Sequence, residues 1–278
     1  MSDSPNPVIK SRANPKIRRL IKLRDNRTRR QSKCVIVDGW RETSHAIQSG
    51  LKLCGLYLTP EEYQRQLASS DELAKRSIEQ SMAVDAVFFV SESLLEKIAF
   101  GQSPRGVVAE FHEPESALST ISLSDNPLIL VLDRIEKPGN LGAIFRSADA
   151  AGVDAILLCE CTDCFNPNAI RNSQGAVFYV PKAKGSQSEI SEFLSSRRIQ
   201  LFSARVESSS PLWRTNLSGP AAIIFGNEAD GLGTRWQDHS EVRIDGIQIP
   251  MIGKVDSLNV SVTAAIIAME AARQRSAM

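Results

Sequence analysis

Residues 128–150 have the sequence LILVLDRIEKPGNLGAIFRSADA. The unbroken apolar run Leu128–Leu132 is typical of a strand that is buried on both faces, and Gly139 and Asn140 can turn the chain into the helical stretch that follows. A buried strand, a short turn and a helix form the repeating unit of a parallel sheet covered by helices. The stretch therefore predicts an α/β fold for this part of the chain.

The same alternation continues to the end of the chain. Further apolar runs predict buried strands at Ala155–Leu158, Ala176–Val180, Gln200–Ser203, Ala221–Phe225 and Ile247–Ile249. The last segment, Leu258–Arg273, predicts an amphipathic helix. Its apolar residues at helical spacing are Val262, Ala265, Ile266 and Met269. Such an apolar face fits a partner helix as well as a core.

A smaller α/β domain is predicted before residue 112. Its strands are predicted at Cys34–Val37, Leu53–Leu58, Ala86–Val90 and Val107–Phe111, and its helices at Arg41–Gln48, Glu61–Ala68 and Leu94–Phe100. The stretch 112–126 is rich in Ser, Glu and Pro and has no sustained apolar period, so we interpret it as a linker. The predicted organisation is a basic segment 1–33, a domain 34–111, a linker 112–126 and a second domain 127–278.

Composition sets the class of protein. The chain has 278 residues, of which 42% are hydrophobic and 23% are charged, as expected of a soluble two-domain protein. No apolar run approaches the roughly 20 residues that span a bilayer, and the N-terminus lacks the apolar core of a signal peptide. The five cysteines show no disulfide-like spacing, which favours free thiols in a reducing compartment. We therefore predict a cytoplasmic protein.

The N-terminal segment is strongly basic. Residues 1–33 contain eleven Lys and Arg against two Asp and Glu, although the whole chain has a net charge of only +1. Asn14 and Pro15 predict a helix start, with a capping side chain followed by a proline in the first turn. The segment could be a solvated helix face, but its charge favours contact with a polyanion such as RNA. The candidate phosphate-binding residues are Arg12, Arg27, Arg29 and Arg30.

Three polar clusters follow predicted strands in the second half. They are Asp133–Ser147, Gly226–Leu232 and Ile249–Val260, and we refer to them as motifs one, two and three. Open α/β sheets bind ligands at the carboxyl ends of their strands, so the three motifs are expected to converge. Within motif three, Ser257 is a plausible N-cap of the last helix.

Taken together, the three motifs resemble the SpoU/TrmH branch of the SPOUT methyltransferases. The similarity covers most of residues 127–274, includes the connecting sequence from Asn166-Pro167 to Gly175-Ala176, and keeps the family's order and spacing. The first half more loosely resembles the L30e/L7Ae-like substrate-binding domain of ribosomal-RNA members, through 34–41 and 103–109. The family usually has Glu where this chain has Asp38.

The resemblance implies a parallel-sheet SPOUT domain with a deep trefoil knot, which spacing alone would not suggest because knots are rare. It further implies binding of S-adenosylmethionine, an RNA substrate and a homodimer. The implied cofactor-binding residues, acting largely through main-chain groups, are Gly226, Asn227, Ile249, Met251 and Leu258. The implied catalytic residues are Asn140, Arg146, Glu228, Ser257 and Asn259.

The expected reaction is methyl transfer to a ribose 2′-hydroxyl. Family accounts often assign removal of the hydroxyl proton to the motif-one arginine, but a guanidinium stays protonated in proteins. We therefore interpret Arg146 as a group that stabilises a phosphate or an oxyanion. Glu228 or Asn140 would then orient the hydroxyl or relay its proton. No metal is required for this chemistry.

Several alternatives compete with this hypothesis. Each motif residue has a structural interpretation: Asn140 as a turn residue, Glu228 or Ser257 as a helix cap. Large-subunit ribosomal RNA is favoured as the substrate because of the N-terminal domain, and transfer RNA is the alternative. A ribosome-assembly factor that keeps the fold without catalysis is a rival from another class. A nicotinamide-dependent oxidoreductase is disfavoured because no G-x-G-x-x-G sequence follows the strand at residue 128.

A metal site is also disfavoured. Cys159, Cys161 and Cys164 have a spacing that suits a metal, but a structural zinc site needs four ligands and no nearby His or Cys supplies the fourth. We therefore predict no metal.

Overall fold

The computed structural model describes residues 7–100, 105–205, 209–227, 231–233, 235–236, 243–255 and 257–276. The chain divides into two compact units. Unit 1 comprises Met1–Pro114 and Phe165–Phe178, and unit 2 comprises Glu115–Cys164 and Tyr179–Met278. The segment Phe165–Phe178 thus folds with unit 1, although strands of unit 2 precede and follow it in sequence. Over the described ranges, no helix combines the length and the apolar character needed to cross a membrane.

The strands confirm an α/β architecture. Their bounds are β1 Cys34–Asp38, β2 Leu53–Leu58, β3 Val87–Phe89, β4 Val107–His112, β5 Leu128–Asp133, β6 Ala155–Cys159, β7 Lys182–Lys184, β8 Gln200–Ala204, β9 Ser209–Pro211, β10 Ala221–Phe225 and β11 Ile244–Gln248. Nine of the ten predicted strands overlap one of these, since continuous apolar runs mark strands that are buried on both faces.

The helices are α1 Pro15–Lys22, α2 Asn26–Ser32, α3 Trp40–Gln48, α4 Pro60–Ala68, α5 Glu72–Ala83, α6 Glu92–Ile98, α7 Pro138–Ala150, α8 Pro167–Ser173, α9 Ala176–Tyr179, α10 Gln187–Ser195 and α11 Val260–Ser276. The predicted start of α1 is confirmed: the side chain of Asn14 accepts a hydrogen bond from the main-chain N–H of Lys16, and Pro15 is the first helical residue.

Unit 1 is built around a four-stranded mixed sheet in the order β1-β4-β2-β3. Strand β4 is antiparallel to β1 and β2, whereas β2 and β3 are parallel. The basic helix α1 is part of this unit, because Ile17, Leu20 and Leu23 lie in its core. Arg19 on α1 also forms an ion pair of 2.7 Å between its Nε and Oε1 of the buried Glu110 on β4. These contacts fix the orientation of α1 on the sheet.

Unit 2 contains a seven-stranded sheet in the order β7-β6-β5-β10-β8-β11-β9, and its strand pairs are all parallel. The carboxyl ends of its strands therefore lie along one edge. Motif one follows β5 and motif two follows β10, and these two strands are neighbours. Helices α7 and α11 pack against each other. Three residues of the stretch interpreted as a linker, Leu118, Ile121 and Leu123, pack against the core of this unit.

Several helices differ from the prediction or were not predicted. Ala176–Val180 was predicted as a strand, but residues Ala176–Tyr179 form α9, and the strand β7 follows it. A short apolar run does not distinguish a buried helix from a buried strand. Helix α5 was not predicted, because three of its four buried residues are Ala74, Ser77 and Ser81, which give almost no apolar period.

The last helix also differs in two respects. It begins at Val260, so the prediction that Ser257 is its N-cap was wrong. The predicted apolar stripe is not the face that packs in unit 2: Val262 and Met269 are 45% and 51% exposed. The buried residues of α11 are Ala264, Ile267, Ala268 and Ala271.

Candidate functional site

Motif one places two of the predicted catalytic residues on helix α7. Asn140 is the third residue of the helix and is half-buried, whereas Arg146 is exposed. Six residues separate them, which at about 100° per residue leaves their side chains roughly 120° apart around the helix axis. Asn140 is therefore directed towards other parts of unit 2, while Arg146 presents a cation to solvent.

Motifs one and three meet through two asparagines. Nδ2 of Asn259 donates a hydrogen bond of 3.2 Å to Oδ1 of Asn140. Oδ1 of Asn259 in turn accepts hydrogen bonds from the main-chain N–H and the hydroxyl of Ser261, so Asn259, rather than Ser257, caps α11. The side-chain amide of Asn259 is therefore hydrogen-bonded through both its nitrogen and its oxygen, as is usual for a polar group beside apolar residues. The pair joins the first turns of α7 and α11.

Motif two forms a tight turn after β10. A Cβ added to Gly226 would lie 2.3 Å from the carbonyl carbon of Gly231, so only glycine fits there. Asn227 is buried, and its Nδ2 donates a hydrogen bond of 3.0 Å to the carbonyl oxygen of Arg134 in motif one. The second and first motifs are therefore in direct contact. Glu228 lies outside the described residues.

The remaining predicted residues of motif three lie on a largely exposed loop between β11 and α11. Ile249 and Leu258 are half-buried, whereas Met251 and Ser257 are exposed. The neighbouring Ile252 is fully exposed. This loop exposes apolar side chains to solvent and leads into Asn259 and α11.

The basic segment requires one correction. Arg29 is only 2% exposed, and its Nη1 donates hydrogen bonds of 2.9 Å and 2.8 Å to the carbonyl oxygens of Leu23 and Arg24. It fixes the end of α1 and is not available to a phosphate in this arrangement. Arg12, Arg27 and Arg30 are exposed. A count of charges could not distinguish the structural arginine from the exposed ones.

Asp133 and Arg235 were not among the site residues predicted from the sequence. Asp133 is completely buried at the end of β5, and its Oδ2 lies 3.3 Å from Nε of Arg235, which follows motif two. An acidic residue directly after a buried apolar strand was the available signal for Asp133. No signal in the sequence singled out Arg235, because it lies three positions beyond the end of motif two and its partner Asp133 is about a hundred positions away in the chain.

Two of the cysteines near motif one, Cys159 and Cys161, have raised pKa values. In the described parts of the chain, no group of three or more His, Cys, Asp or Glu side chains could hold a metal ion. Burial raises the pKa of Cys161 to about 12, and burial together with Asp133 raises that of Cys159 to about 12. Both thiols are therefore protonated at neutral pH in this structure, whereas nucleophilic attack requires the thiolate.

The site is thus a set of amides, main-chain groups and a solvent-facing arginine at the carboxyl edge of a parallel sheet. Amides can orient a hydroxyl group, a guanidinium can bind an anionic oxygen, and close-packed turns can hold a planar or bent small molecule through the main chain. This donor set suits the orientation of a hydroxyl group near a bound anion.

Comparisons with known proteins agree with this chemistry. Residues 127–269 match the family model described as the SpoU rRNA Methylase family. Residues 14–109 match the model described as the MRM3-like substrate binding domain. Together the two matches cover most of the described chain, one for each half.

Individual relatives are similar over nearly the full length. The 23S rRNA (guanosine(2553)-2'-O)-methyltransferase RlmP of Bacillus subtilis is 26% identical over 261 residues, which cover 93% of this chain and 96% of the relative. A crystal structure of an RNA 2'-O ribose methyltransferase is 35% identical, with a TM-score of 0.79 over 97% of this chain and 100% of the other. An AdoMet-bound rRNA methyltransferase from Sinorhizobium meliloti is 26% identical, with a TM-score of 0.84 over 96% and 97% of the chains.

Proposed function

The chain belongs to the SpoU rRNA methylase family, and on this premise we propose that it transfers the methyl group of S-adenosylmethionine to a ribose 2′-hydroxyl of large-subunit ribosomal RNA. The observation that carries the proposal is the hydrogen bond between Asn140 and Asn259, which unites two distant motifs at the carboxyl edge of the sheet. An enzyme that acts on a ribose needs such fixed polar groups beside its cofactor site, because orientation supplies much of the rate.

The described residues fit the cofactor. Gly226 has no room for a side chain because the main chain of Gly231 packs against it, and we propose that the main-chain groups of this turn contact the cofactor. We assign the holding of S-adenosylmethionine to this turn, through Gly226 and Asn227, and to the exposed loop through Ile249, Met251 and Leu258. Its sulfonium would supply a methyl group already activated for displacement.

The protein's own part in the reaction is to orient the 2′-oxygen and to accept its proton. We assign the orientation to Asn140 and Asn259, whose amides are fixed by each other and by the helix cap. Arg146 is exposed and would bind a phosphate or the developing oxyanion as a permanent cation. Within the candidate set, the carboxylate of Glu228 is the group suited to accept a proton at neutral pH. Ser257, which does not cap α11, is free to contact the ribose.

RNA binding is assigned to unit 1. The exposed side chains of Arg12, Arg27 and Arg30 lie on the segment with eleven basic and two acidic residues, and we propose that they contact phosphates. Arg29 is not included, because its guanidinium donates hydrogen bonds to main-chain carbonyl groups of the same unit. The match of unit 1 to a substrate-binding domain and the name of the Bacillus subtilis relative support ribosomal RNA over transfer RNA.

We further propose that the protein is a homodimer with α11 in the interface. Val262 and Met269 are both about half exposed and lie seven residues apart, hence on one face of the helix. An exposed apolar stripe of this kind is typical of a helix that packs against a partner. The expected result of light scattering is a dimer mass for the native chain and a monomer mass for Met269→Lys. The trefoil knot and a cytoplasmic location remain predictions.

The proposed function is tested with the purified protein, methyl-labelled S-adenosylmethionine and total RNA from cells that lack its gene. We expect label in one 2′-O-methyl nucleoside of the large-subunit ribosomal RNA. Label in the transfer-RNA fraction instead would identify transfer RNA as the substrate. Binding of S-adenosylmethionine without any transfer of label to RNA would contradict the enzymatic proposal and favour the assembly factor.

A further inference from the structure

The first two residues of motif one, Asp133 and Arg134, contact one residue at the start of motif two and one residue that follows it. Asp133 is the last residue of β5, and Arg134 follows it directly. Asn227 lies at the start of motif two, and Arg235 follows its glycines. Both of these residues contact the Asp133-Arg134 pair, although they lie more than ninety positions away in sequence. One short segment therefore contacts the described residues on both sides of the turn.

The first contact is made by the main chain of Arg134. This residue has φ of 54°, in the left-handed region that non-glycine residues rarely adopt. Its N–H donates a hydrogen bond of 2.8 Å to the carbonyl oxygen of Cys159, and its own carbonyl accepts one of 3.0 Å from the side chain of Asn227. An unfavourable backbone conformation persists where its surroundings require it, and here it coincides with the contact to motif two.

The second contact is an ion pair with a buried carboxylate. Oδ2 of Asp133 lies 3.3 Å from Nε of Arg235 and 3.6 Å from Nε of Arg134, and the aspartate has no exposed surface. Nη2 of Arg235 also lies 3.0 Å from Oε1 of Glu160, and the carbonyl of Arg235 accepts a hydrogen bond from Gln187. A buried charge is costly without a paired counter-charge, so Asp133 favours a conformation that keeps the guanidinium groups of Arg134 and Arg235 near its carboxylate.

We propose that Asp133 and Arg235 are positioning residues for the cofactor site: their ion pair helps to hold Gly226 and Asn227 in the positions that bind S-adenosylmethionine. The inference rests on the proposed function, since it takes Gly226 and Asn227 as cofactor-binding residues. A purely structural ion pair is the competing interpretation. The two differ in what a broken pair does to the folded protein: positioning predicts weaker cofactor binding, whereas a structural role predicts only lower stability.

The test compares Asp133→Asn, Arg235→Gln and the double variant with the native chain. Equilibrium dialysis with labelled S-adenosylmethionine is expected to give at least tenfold weaker binding for each single variant, with turnover at saturating cofactor within about twofold of native. The double variant should bind no more weakly than the weaker single variant, because residues that act as a pair give non-additive effects. Arg235→Lys keeps the charge but loses the planar fork that reaches Asp133 and Glu160, so it should recover part of the affinity.

The matched control is Asp245→Asn, which breaks an ion pair of 2.7 Å with Arg243 in the same unit. That pair is largely exposed, and exposed pairs contribute little, so cofactor binding should stay at the native level. The side chain of Arg235 is 30% exposed, whereas that of Asp133 is fully buried. If Asp133→Asn does not fold, the Arg235 variants still provide the test.

Native cofactor affinity in folded Asp133→Asn and Arg235→Gln proteins, with only a lower melting temperature, would overturn the proposal. Reduced turnover at unchanged cofactor affinity would overturn it equally. Failure of the native chain itself to bind S-adenosylmethionine would instead contradict the proposed function, and the two failures are therefore distinguishable.

Discussion

Asn259 combines two functions that a pair of substitutions can separate. Its Oδ1 caps α11, and its Nδ2 contacts Asn140. Serine is as good an N-cap as asparagine, but it is shorter and lacks the second polar group. Asn259→Ser therefore keeps the cap and removes the contact with Asn140, whereas Asn259→Ala removes both. We expect the two variants to differ in stability and to agree in activity.

The magnitudes follow from the contacts. Loss of an N-cap costs about 1 kcal/mol, and loss of one hydrogen bond costs about 0.5–1.5 kcal/mol. For a unit of this size, about 1 kcal/mol lowers the melting temperature by about 2–4 °C. Asn259→Ala should therefore melt a few degrees below Asn259→Ser. Turnover should fall by about 100-fold in both variants, since misplacement of a group by about 1 Å costs that much.

The assay is label transfer to ribosomal RNA at saturating cofactor, together with thermal unfolding of each variant. The control is Asn216→Ser, which alters an exposed asparagine in the same unit and should leave turnover unchanged. Turnover of Asn259→Ser within twofold of native would refute the reasoning. The asparagine would then act as a helix cap alone, and its contact with Asn140 would have no role in catalysis.

Three further predictions concern single residues. Arg146→Lys should retain part of the turnover that Arg146→Ala loses, because a cation suffices for electrostatic stabilisation; equal losses in a label-transfer assay would contradict this role. Gly226→Ala should abolish detectable cofactor binding in dialysis and, because the added methyl group overpacks the turn, destabilise the protein by about 1–3 kcal/mol. Gly219→Ala is the control: the added methyl group has free space there, so cofactor binding and stability should stay at the native level. Arg29→Ala should lower the free energy of unfolding by about 1.5–3 kcal/mol in urea titrations, while Arg30→Gln should leave stability unchanged and reduce the salt dependence of RNA binding.

The sequence predicted the elements whose signals are local. The apolar runs at Leu53–Leu58 and Ala221–Phe225 coincide with β2 and β10, because a strand buried on both faces has no polar alternation. Asn14 and Pro15 marked the start of α1 through capping chemistry, which depends on adjacent residues. The convergence of the three motifs was also predictable, since carboxyl ends of parallel strands share one edge of the sheet.

The failures have a common cause in long-range packing. The short apolar run from Ala176 is helical in α9, and only its tertiary surroundings decide between helix and strand. The burial of Arg29 and the exposure of Val262 depend on which face of a helix meets the rest of the unit. The ion pair between Asp133 and Arg235 joins residues about a hundred positions apart, and no local pattern specifies such a pair.

The most direct test of the account is a map of ribose methylation in the large-subunit ribosomal RNA of cells that lack the gene. We predict that one 2′-O-methyl position disappears on deletion and returns with the native chain but not with Asn140→Ala or Asn259→Ser. A methylation map that deletion leaves unchanged, or one that both variants restore in full, would contradict the central claim that motifs one and three form the catalytic site of a ribosomal-RNA methyltransferase.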